Sequence, residues 1–146
     1  MRKSKNKSLY NIFVGYLTKK GNKIKAKKIL DVALLTVARK FNLSIRSLLI
    51  KVLKRVGCVV ELKTIRMRKN THIVPFAINQ TRKYYLTVRR IMEAVAQDTT
   101  NRPITDKLVD ELTSILILSK SSRSLKKSKT DLKDAVVHRS NIHFRW

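Results

Sequence analysis

Two carboxylates in the second half of the chain have a spacing that could support metal chemistry. Asp106 and Asp110 are four residues apart, so a helix would place both on one face, where they could share a divalent cation and serve a metal-dependent nuclease. The neighbouring Lys107 and Glu111 make a solvated helix face the favoured interpretation. Loss of an RNA-cleaving activity in the variant Asp106→Ala would support the nuclease alternative.

The other residues with catalytic or metal-binding potential show no productive spacing. His72, His138 and His143 form no metal-ligand pattern with acids or with the single cysteine, Cys58. The chain contains no G-x-S-x-G, P-loop or H-E-x-x-H motif. A single cysteine forms no internal disulfide, and it is more often a small buried hydrophobe than a nucleophile. We therefore expect no enzyme activity, no metal and no cofactor.

Charge is the dominant feature of this 146-residue chain, which has 34 Lys and Arg, 9 Asp and Glu, and a formal net charge of +25. Such an imbalance calls for a polyanionic partner. The cations are spread along the whole chain rather than gathered in one amphipathic segment, which favours nucleic acid over a membrane surface or an acidic protein. The longest apolar stretch, 29–38, is short for a membrane span and contains Asp31.

The spacing of apolar residues predicts a mainly α-helical single domain of about six helices with a protruding two-stranded β-hairpin. The predicted helices cover about 9–18, 23–41, 45–56, 81–97, 104–116 and, weakly, 131–138. Alternating residues, a polar turn and a second apolar run containing Pro75 predict the hairpin over about 59–79. The remaining segments are a basic N-terminal tail (1–8) before the domain (9–146), an exposed basic loop rich in Ser and Lys (119–130), and a C-terminal tail (139–146).

Two of these elements carry cations in positions suited to phosphate binding. At about 100° per residue, the cations of the fourth helix fall within one sector of about 120° opposite its apolar stripe: Arg82, Lys83, Arg89 and Arg90. The hairpin carries Arg66, Arg68 and Lys69 at or near a turn without glycine, where we expect Asn70 to take a positive φ. Because an isolated hairpin is marginal in water, it either gains order from a partner or packs on the helices as an ordinary edge hairpin.

The chain ends on the basic and aromatic sequence RSNIHFRW. Arg139, Arg145 and Trp146 could contact RNA there, with the aromatic rings stacking on bases or docking in a partner's pocket. The alternative is that the tail folds back onto the protein's own helices.

Several segments resemble, in order and with consistent spacing, the family of small-subunit ribosomal protein number seven, of bacterial and organellar type. They are LTKKGNKIKAKKILDVAL, SLLIKVLKRVGCVVEL, THIVPFAIN, TRKYYLTVRRIMEAVAQ, ITDKLVDELTSI, KKSKT and the terminal HFRW. The resemblance extends from about Leu9 to Trp146. It implies a helical fold with a protruding hairpin and a structural role in the small ribosomal subunit.

The resemblance also implies specific partners. It implies an early assembly protein that binds the three-prime major domain of small-subunit rRNA, organises the head beside neighbouring proteins of head and platform, and lies near tRNA and mRNA at the exit site. The candidate rRNA-binding residues are Lys19, Lys20, Lys23, Lys25, Arg66, Arg68, Lys69, Arg82, Lys83, Arg89, Arg90, Arg139, Arg145 and Trp146. A general architectural nucleic-acid-binding protein is the alternative.

The composition also bears on location. Lys, Asn, Ile and Leu are favoured over Ala and Gly, which suggests a ribosome of mitochondria or of another organelle.

Overall fold

The computed structural model describes residues 8–145, so most of the predicted N-terminal tail and Trp146 lie outside the described residues. The elements, in chain order, are α1 (Leu9–Leu17), α2 (Lys23–Lys40), α3 (Ile45–Val56), β1 (Val60–Met67), β2 (Asn70–Ala77), α4 (Gln80–Ala96), α5 (Ile104–Ile117), α6 (Arg123–Val137) and a C-terminal 3₁₀ helix (Arg139–Phe144). The predicted fold class, mainly α-helical with a two-stranded hairpin, is confirmed. None of the described helices is long and apolar enough to cross a membrane.

One hydrophobic core joins the helices. Its fully buried side chains come from α1 to α5, with Leu125 added by α6: Phe13, Leu30, Leu34, Val37, Leu48, Val52, Val56, Val88, Ile91, Leu108, Leu112 and Ile115. These residues recur at intervals of three and four within each helix, the spacing that places side chains on one helix face. Truncating one of the leucines or isoleucines in this set to Ala should cost about 2–5 kcal/mol, because a cavity remains after the transfer energy is lost.

Side-chain caps mark the beginnings of four helices. Ser8, Asn22, Ser44 and Ser122 each accept a hydrogen bond from the backbone N–H three residues later, which satisfies a donor that the helix leaves unpaired. α4 begins at Gln80 after Asn79, whose side chain makes no such bond.

The prediction of an exposed basic loop over 119–130 is wrong from residue 123 onward, where α6 begins. Ser124 and Ser128 are buried, and their hydroxyls have partners: Ser124 donates to Glu111, and Ser128 donates to the Val56 carbonyl at 3.0 Å. Serines, which in sequence favour a loop, are here small enough to let α6 pack against α3 and α4. The helix therefore buries a polar but fully hydrogen-bonded face.

The two strands pair antiparallel from Val60 opposite Ala77 to Met67 opposite Asn70. The two-residue turn is Arg68–Lys69, and the residue with positive φ is Arg68, at 51°, rather than Asn70 as predicted. Asn70 is already part of β2, where it pairs with Met67. A positive φ at the first central residue is the arrangement that type II′ turns use, and it favours glycine.

The outer edge of β2 is covered by the chain's own C-terminus. The Asn141 side chain donates to the Ile73 carbonyl at 2.9 Å, and Arg145 Nε donates to the Pro75 carbonyl at 2.7 Å. The rings of His72 and Phe144 stack with centroids 4.5 Å apart. The partner that orders the hairpin is therefore already supplied within the chain, which removes part of an exposed strand edge.

Candidate nucleic-acid interface

Four predicted RNA-binding lysines surround the turn between α1 and α2. Lys19, Lys20, Lys23 and Lys25 are all exposed. The turn is built by Lys20 and Gly21, whose φ angles are 49° and 77°, and by the Asn22 cap at the start of α2. The structure thus brings together lysines that are separated by up to six positions in sequence.

The position of these lysines lowers the stability of the isolated helix α2 but favours the binding of an anion. The first turn of α2 contains no acidic residue, so Lys23 and Lys25 lie at the end where unpaired N–H groups already carry partial positive charge. None of the four lysines forms an ion pair within residues 8–145. A phosphate bound here would be attracted both by the positively charged lysine side chains and by the positive end of the helix dipole.

A largely apolar cleft of about 380 Å³ opens beside this turn. Tyr16, Met92 and Ile104 contribute to its walls from α1, α4 and α5, and Lys19 and Lys25 are part of its lining. Clefts of this size, apolar with a few polar groups, suit a flat, partly polar ligand group such as a nucleobase.

The predicted basic face of α4 is divided by the structure. Arg82 and Arg89 are exposed, but each already has a carboxylate partner: Arg82 donates to Glu61 at 2.6 and 3.0 Å, and Arg89 donates to Glu93 at 2.8 Å. The Arg82 hydrogen bond lowers the pKa of Glu61. For Glu93, the Lys127 hydrogen bond is the main cause of a lowered pKa, and Arg89 adds to it. Both carboxylates therefore stay ionised and keep these cations occupied.

The prediction that Arg90 belongs to this exposed face is wrong. Its side chain is 7% exposed, donates to the Val56 carbonyl at 3.2 Å and pairs with Asp131 of α6. The sector of about 120° was wide enough to reach the groove where α6 packs on α4, and α6 was not expected there. Arg90 is a structural link between α3, α4 and α6.

Lys83 is half-buried rather than free on the surface. A Cβ added to Gly57 would lie 2.7 Å from its Cε atom and 2.4 Å from the Leu53 carbonyl, so the lysine stem crosses closely over this glycine. The absence of a side chain at Gly57 thus leaves the space that the Lys83 stem occupies.

The hairpin and the C-terminus hold the remaining predicted residues. Arg66, Arg68 and Lys69 are exposed at the end of the hairpin farthest from α4, and Arg139 is exposed at the start of the 3₁₀ helix. Arg145 already donates to Pro75, with its guanidinium 5.6 Å from the Phe76 ring centre, so its contact with rRNA stays a prediction. Trp146 lies outside the described residues.

Sequence reasoning missed a basic face on α6. Lys126, Lys129 and Lys133 are exposed, and their spacing of three and four residues places them on one side of the helix. The buried side of the helix, with Ser124 and Leu125 four and three residues before Ser128, was the available signal for a helix. It was hidden because Ser residues stood where apolar ones were expected.

The residues considered for catalysis show no site. Asp110 pairs with Arg102 at 3.0 Å, and Asp106 contacts the neighbouring Thr105 hydroxyl. Cys58 is buried, with its sulfur 3.0 Å from the Ser128 hydroxyl. Among residues 8–145, no group of three or more His, Cys, Asp and Glu side chains is placed to hold a metal ion.

Comparison with known proteins gives one consistent family. The family described as ribosomal protein S7p/S5e matches residues 1–138. The small ribosomal subunit protein uS7 of Hydrogenovibrio crunogenus is 32% identical over 135 residues, covering 92% of this chain and 84% of the relative. The proteins of the same name from Dichelobacter nodosus and Thermosipho melanesiensis are 29% and 30% identical, covering 92% and 86% of this chain and 84% and 79% of their own lengths.

Proposed function

The chain belongs to the ribosomal protein S7p/S5e family, and on that premise we propose that it binds the three-prime major domain of small-subunit rRNA, nucleates assembly of the head and lines the tRNA exit site. The coarser function follows from the family: the protein is a structural constituent of the small ribosomal subunit that binds rRNA, and it is not an enzyme.

The observation that carries the proposal is a set of exposed cations that have no carboxylate partner among residues 8–145. They lie on the α1–α2 turn, on the hairpin, on α6 and at the start of the 3₁₀ helix: Lys19, Lys20, Lys23, Lys25, Arg66, Arg68, Lys69, Lys126, Lys129, Lys133 and Arg139. Cations spread over several rigid elements suit a folded RNA, whose phosphates surround the protein from several directions. Phosphate contacts would fix orientation, and shape would supply much of the selectivity.

The cleft beside the α1–α2 turn supports a more specific placement of RNA. An unpaired nucleotide has apolar base faces and an anionic phosphate, which match the walls around Met92 and Ile104 and the lysines Lys19 and Lys25. We place one contact of the rRNA at this cleft.

Binding to separate rRNA transcripts tests the proposal. A transcript of the three-prime major domain should bind roughly a hundredfold or more tighter than a five-prime domain transcript of similar length at the same salt concentration. Duplex DNA should fail to displace it at comparable concentration. Equal affinity for all three would contradict the proposal and favour a general architectural nucleic-acid-binding protein.

We also propose that the C-terminal segment lies near mRNA and platform proteins, and that the ribosome is mitochondrial or of another organelle. The composition supports the second statement, whereas the relatives named above are bacterial. Mass spectrometry of small subunits purified from organelles and from cytosol should find the protein in the organellar particles. Its presence solely in other ribosomes would contradict the organellar proposal.

A further inference from the structure

Three of the chain's nine carboxylates meet in one cleft of about 160 Å³ between β1, α4 and α6. They are Glu61, Glu93 and Asp131, and the cations that line the same cleft are Arg89, Arg90 and Lys127. In a chain with a net charge of +25, such a concentration of acids beside an RNA-binding surface needs a physical reason. Asp131 has one already, because its partner Arg90 is buried and structural.

Glu61 and Glu93 are placed differently, since they hold cations that project into solvent. The Glu61 side chain is 16% exposed and its partner Arg82 is 51% exposed; Glu93 is 31% exposed and its partner Arg89 is 60% exposed. Each carboxylate is thus less exposed to solvent than its arginine. Each also accepts two hydrogen bonds: Glu61 accepts both from Arg82, and Glu93 accepts one from Arg89 and one from Lys127 of α6.

A carboxylate that accepts two charged hydrogen bonds offers the same geometry as the free oxygens of a phosphate. An RNA backbone that approaches Arg82, Arg89 or Lys127 must therefore replace an existing partner, unlike one that approaches the lysines of the α1–α2 turn. Exposed ion pairs are weak, so this competition costs at most roughly fivefold in affinity for each pair. The cost adds up with each pair displaced, so an RNA that engages all three cations must recover it through its other contacts, such as those with the lysines of the α1–α2 turn.

We propose that Glu61 and Glu93 raise the threshold for RNA binding by holding Arg82, Arg89 and Lys127 until a phosphate backbone replaces the carboxylates. An unstructured polyanion that makes few other contacts then stays largely unbound, whereas folded rRNA, which makes many other contacts, still binds. This inference rests on the proposed function, because it assumes that the α4 and α6 surface contacts rRNA.

Glu93→Gln is the test variant, because it keeps the side-chain shape and removes the charge that holds two cations. Asp134→Asn is the matched control: it changes net charge equally, and Asp134 is exposed on α6 without an ion pair among the described residues. The probes are poly(U) and the three-prime major-domain transcript. Affinities are measured by filter binding over a range of salt concentrations.

We expect Glu93→Gln to bind poly(U) roughly three- to tenfold tighter than the wild type, from the two ion pairs released. Its salt dependence should steepen by about 0.7 in log–log slope for each additional phosphate contacted. Affinity for the transcript, which displaces the same pairs, should rise by a similar factor. Asp134→Asn, which releases no paired cation, should raise either affinity less than Glu93→Gln does.

Equal effects of Glu93→Gln and Asp134→Asn would overturn the inference and leave the proposed function intact. A loss of stability in chemical denaturation without any gain in poly(U) affinity would also overturn it, since the pairs would then serve only to join α4 to α6. If the wild type shows no preference for the transcript over poly(U), the proposed function fails first, and the inference falls with it.

Discussion

Replacing the buried Arg90 with Met should destabilise the fold without weakening RNA binding. The substitution removes the ion pair with Asp131 and the hydrogen bond to the Val56 carbonyl. Two features limit the cost: Val56 keeps the hydrogen bond from Ser128, and the 30% exposed Asp131 side chain can be solvated by water. A charged hydrogen bond contributes about 1.5–3 kcal/mol and Met restores part of the apolar packing, so we expect a loss of about 2–3 kcal/mol.

Urea denaturation followed by circular dichroism measures the free energy of unfolding, and the thermal midpoint should fall by roughly 6–12 °C. Arg89→Met is the matched control, one residue earlier on the same helix and exposed. It should leave stability almost unchanged and weaken binding of the three-prime major-domain transcript. If Arg90→Met left stability unchanged and reduced RNA affinity as much as Arg89→Met, the assignment of Arg90 as a structural residue would be refuted.

Three further predictions concern packing, the turn and pH. Ser128→Leu should destabilise the protein by about 1–3 kcal/mol, because α6 packs closely on α3 and leaves no room for the larger side chain. Ser128→Ala should cost about 1 kcal/mol for the lost hydrogen bond. Equal losses of unfolding free energy in urea denaturation would contradict the close packing. Arg68→Gly should stabilise the hairpin by about 0.5–1 kcal/mol, because glycine adopts a positive φ without strain. Lys69→Gly should destabilise the hairpin, because Lys69 does not have a positive φ. Thermal melts that rank the two variants in the opposite order would refute the turn assignment. Glu61 and Glu93 have lowered pKa values, so their ion pairs stabilise the fold at pH values above the range in which unfolded glutamates titrate. This stabilisation is lost as the pH falls through the pKa of the folded state, below roughly pH 4. The Glu61→Gln, Glu93→Gln double variant should therefore lose less stability between pH 5 and pH 3 than the wild type, and an identical pH profile would contradict the ion pairs.

The elements that were predictable from sequence are those whose burial is apolar. Helices α2 and α3 repeat Ala, Leu and Val at three and four residues, and the structure buries those positions. The alternation around Ile65 and the proline at 75 located both strands. In these segments the hydrophobic pattern and the local backbone preference point to the same element.

The parts that were not predictable depend on polar burial and on contacts between distant segments. α6 buries Ser124 and Ser128, and a serine that packs against a helix cannot be distinguished in sequence from one in a loop. Because only 131–138 was predicted, weakly, as a helix and the first part of α6 was predicted as a loop, nothing indicated that α6 would pack on α4 and cover Arg90. The hydrogen bonds from Asn141 and Arg145 to β2 join positions about seventy residues apart, and the acceptors are backbone carbonyls. Because no complementary side chain takes part, the sequence contains no sign of this contact.

The candidate site was predictable as a distribution of charge but not residue by residue. The exposed lysines from Lys19 to Lys25 lie where the sequence placed them, because a turn followed by a helix start leaves little to cover them. On α4 the helix angle alone could not separate Arg89, which is exposed, from Arg90, which is buried. That difference is set by the neighbouring helix.

The most direct test of rRNA binding through exposed cations is the salt dependence of affinity for the three-prime major-domain transcript, measured for the wild type and for a variant with Lys19, Lys20, Lys23 and Lys25 changed to Gln. We predict that wild-type affinity falls on the order of a thousandfold between 50 and 200 mM salt if about six phosphates are contacted, and that the variant has a log–log slope shallower by roughly 2–4. A wild-type affinity that is insensitive to salt, or a variant with an unchanged slope, would contradict binding through these lysines.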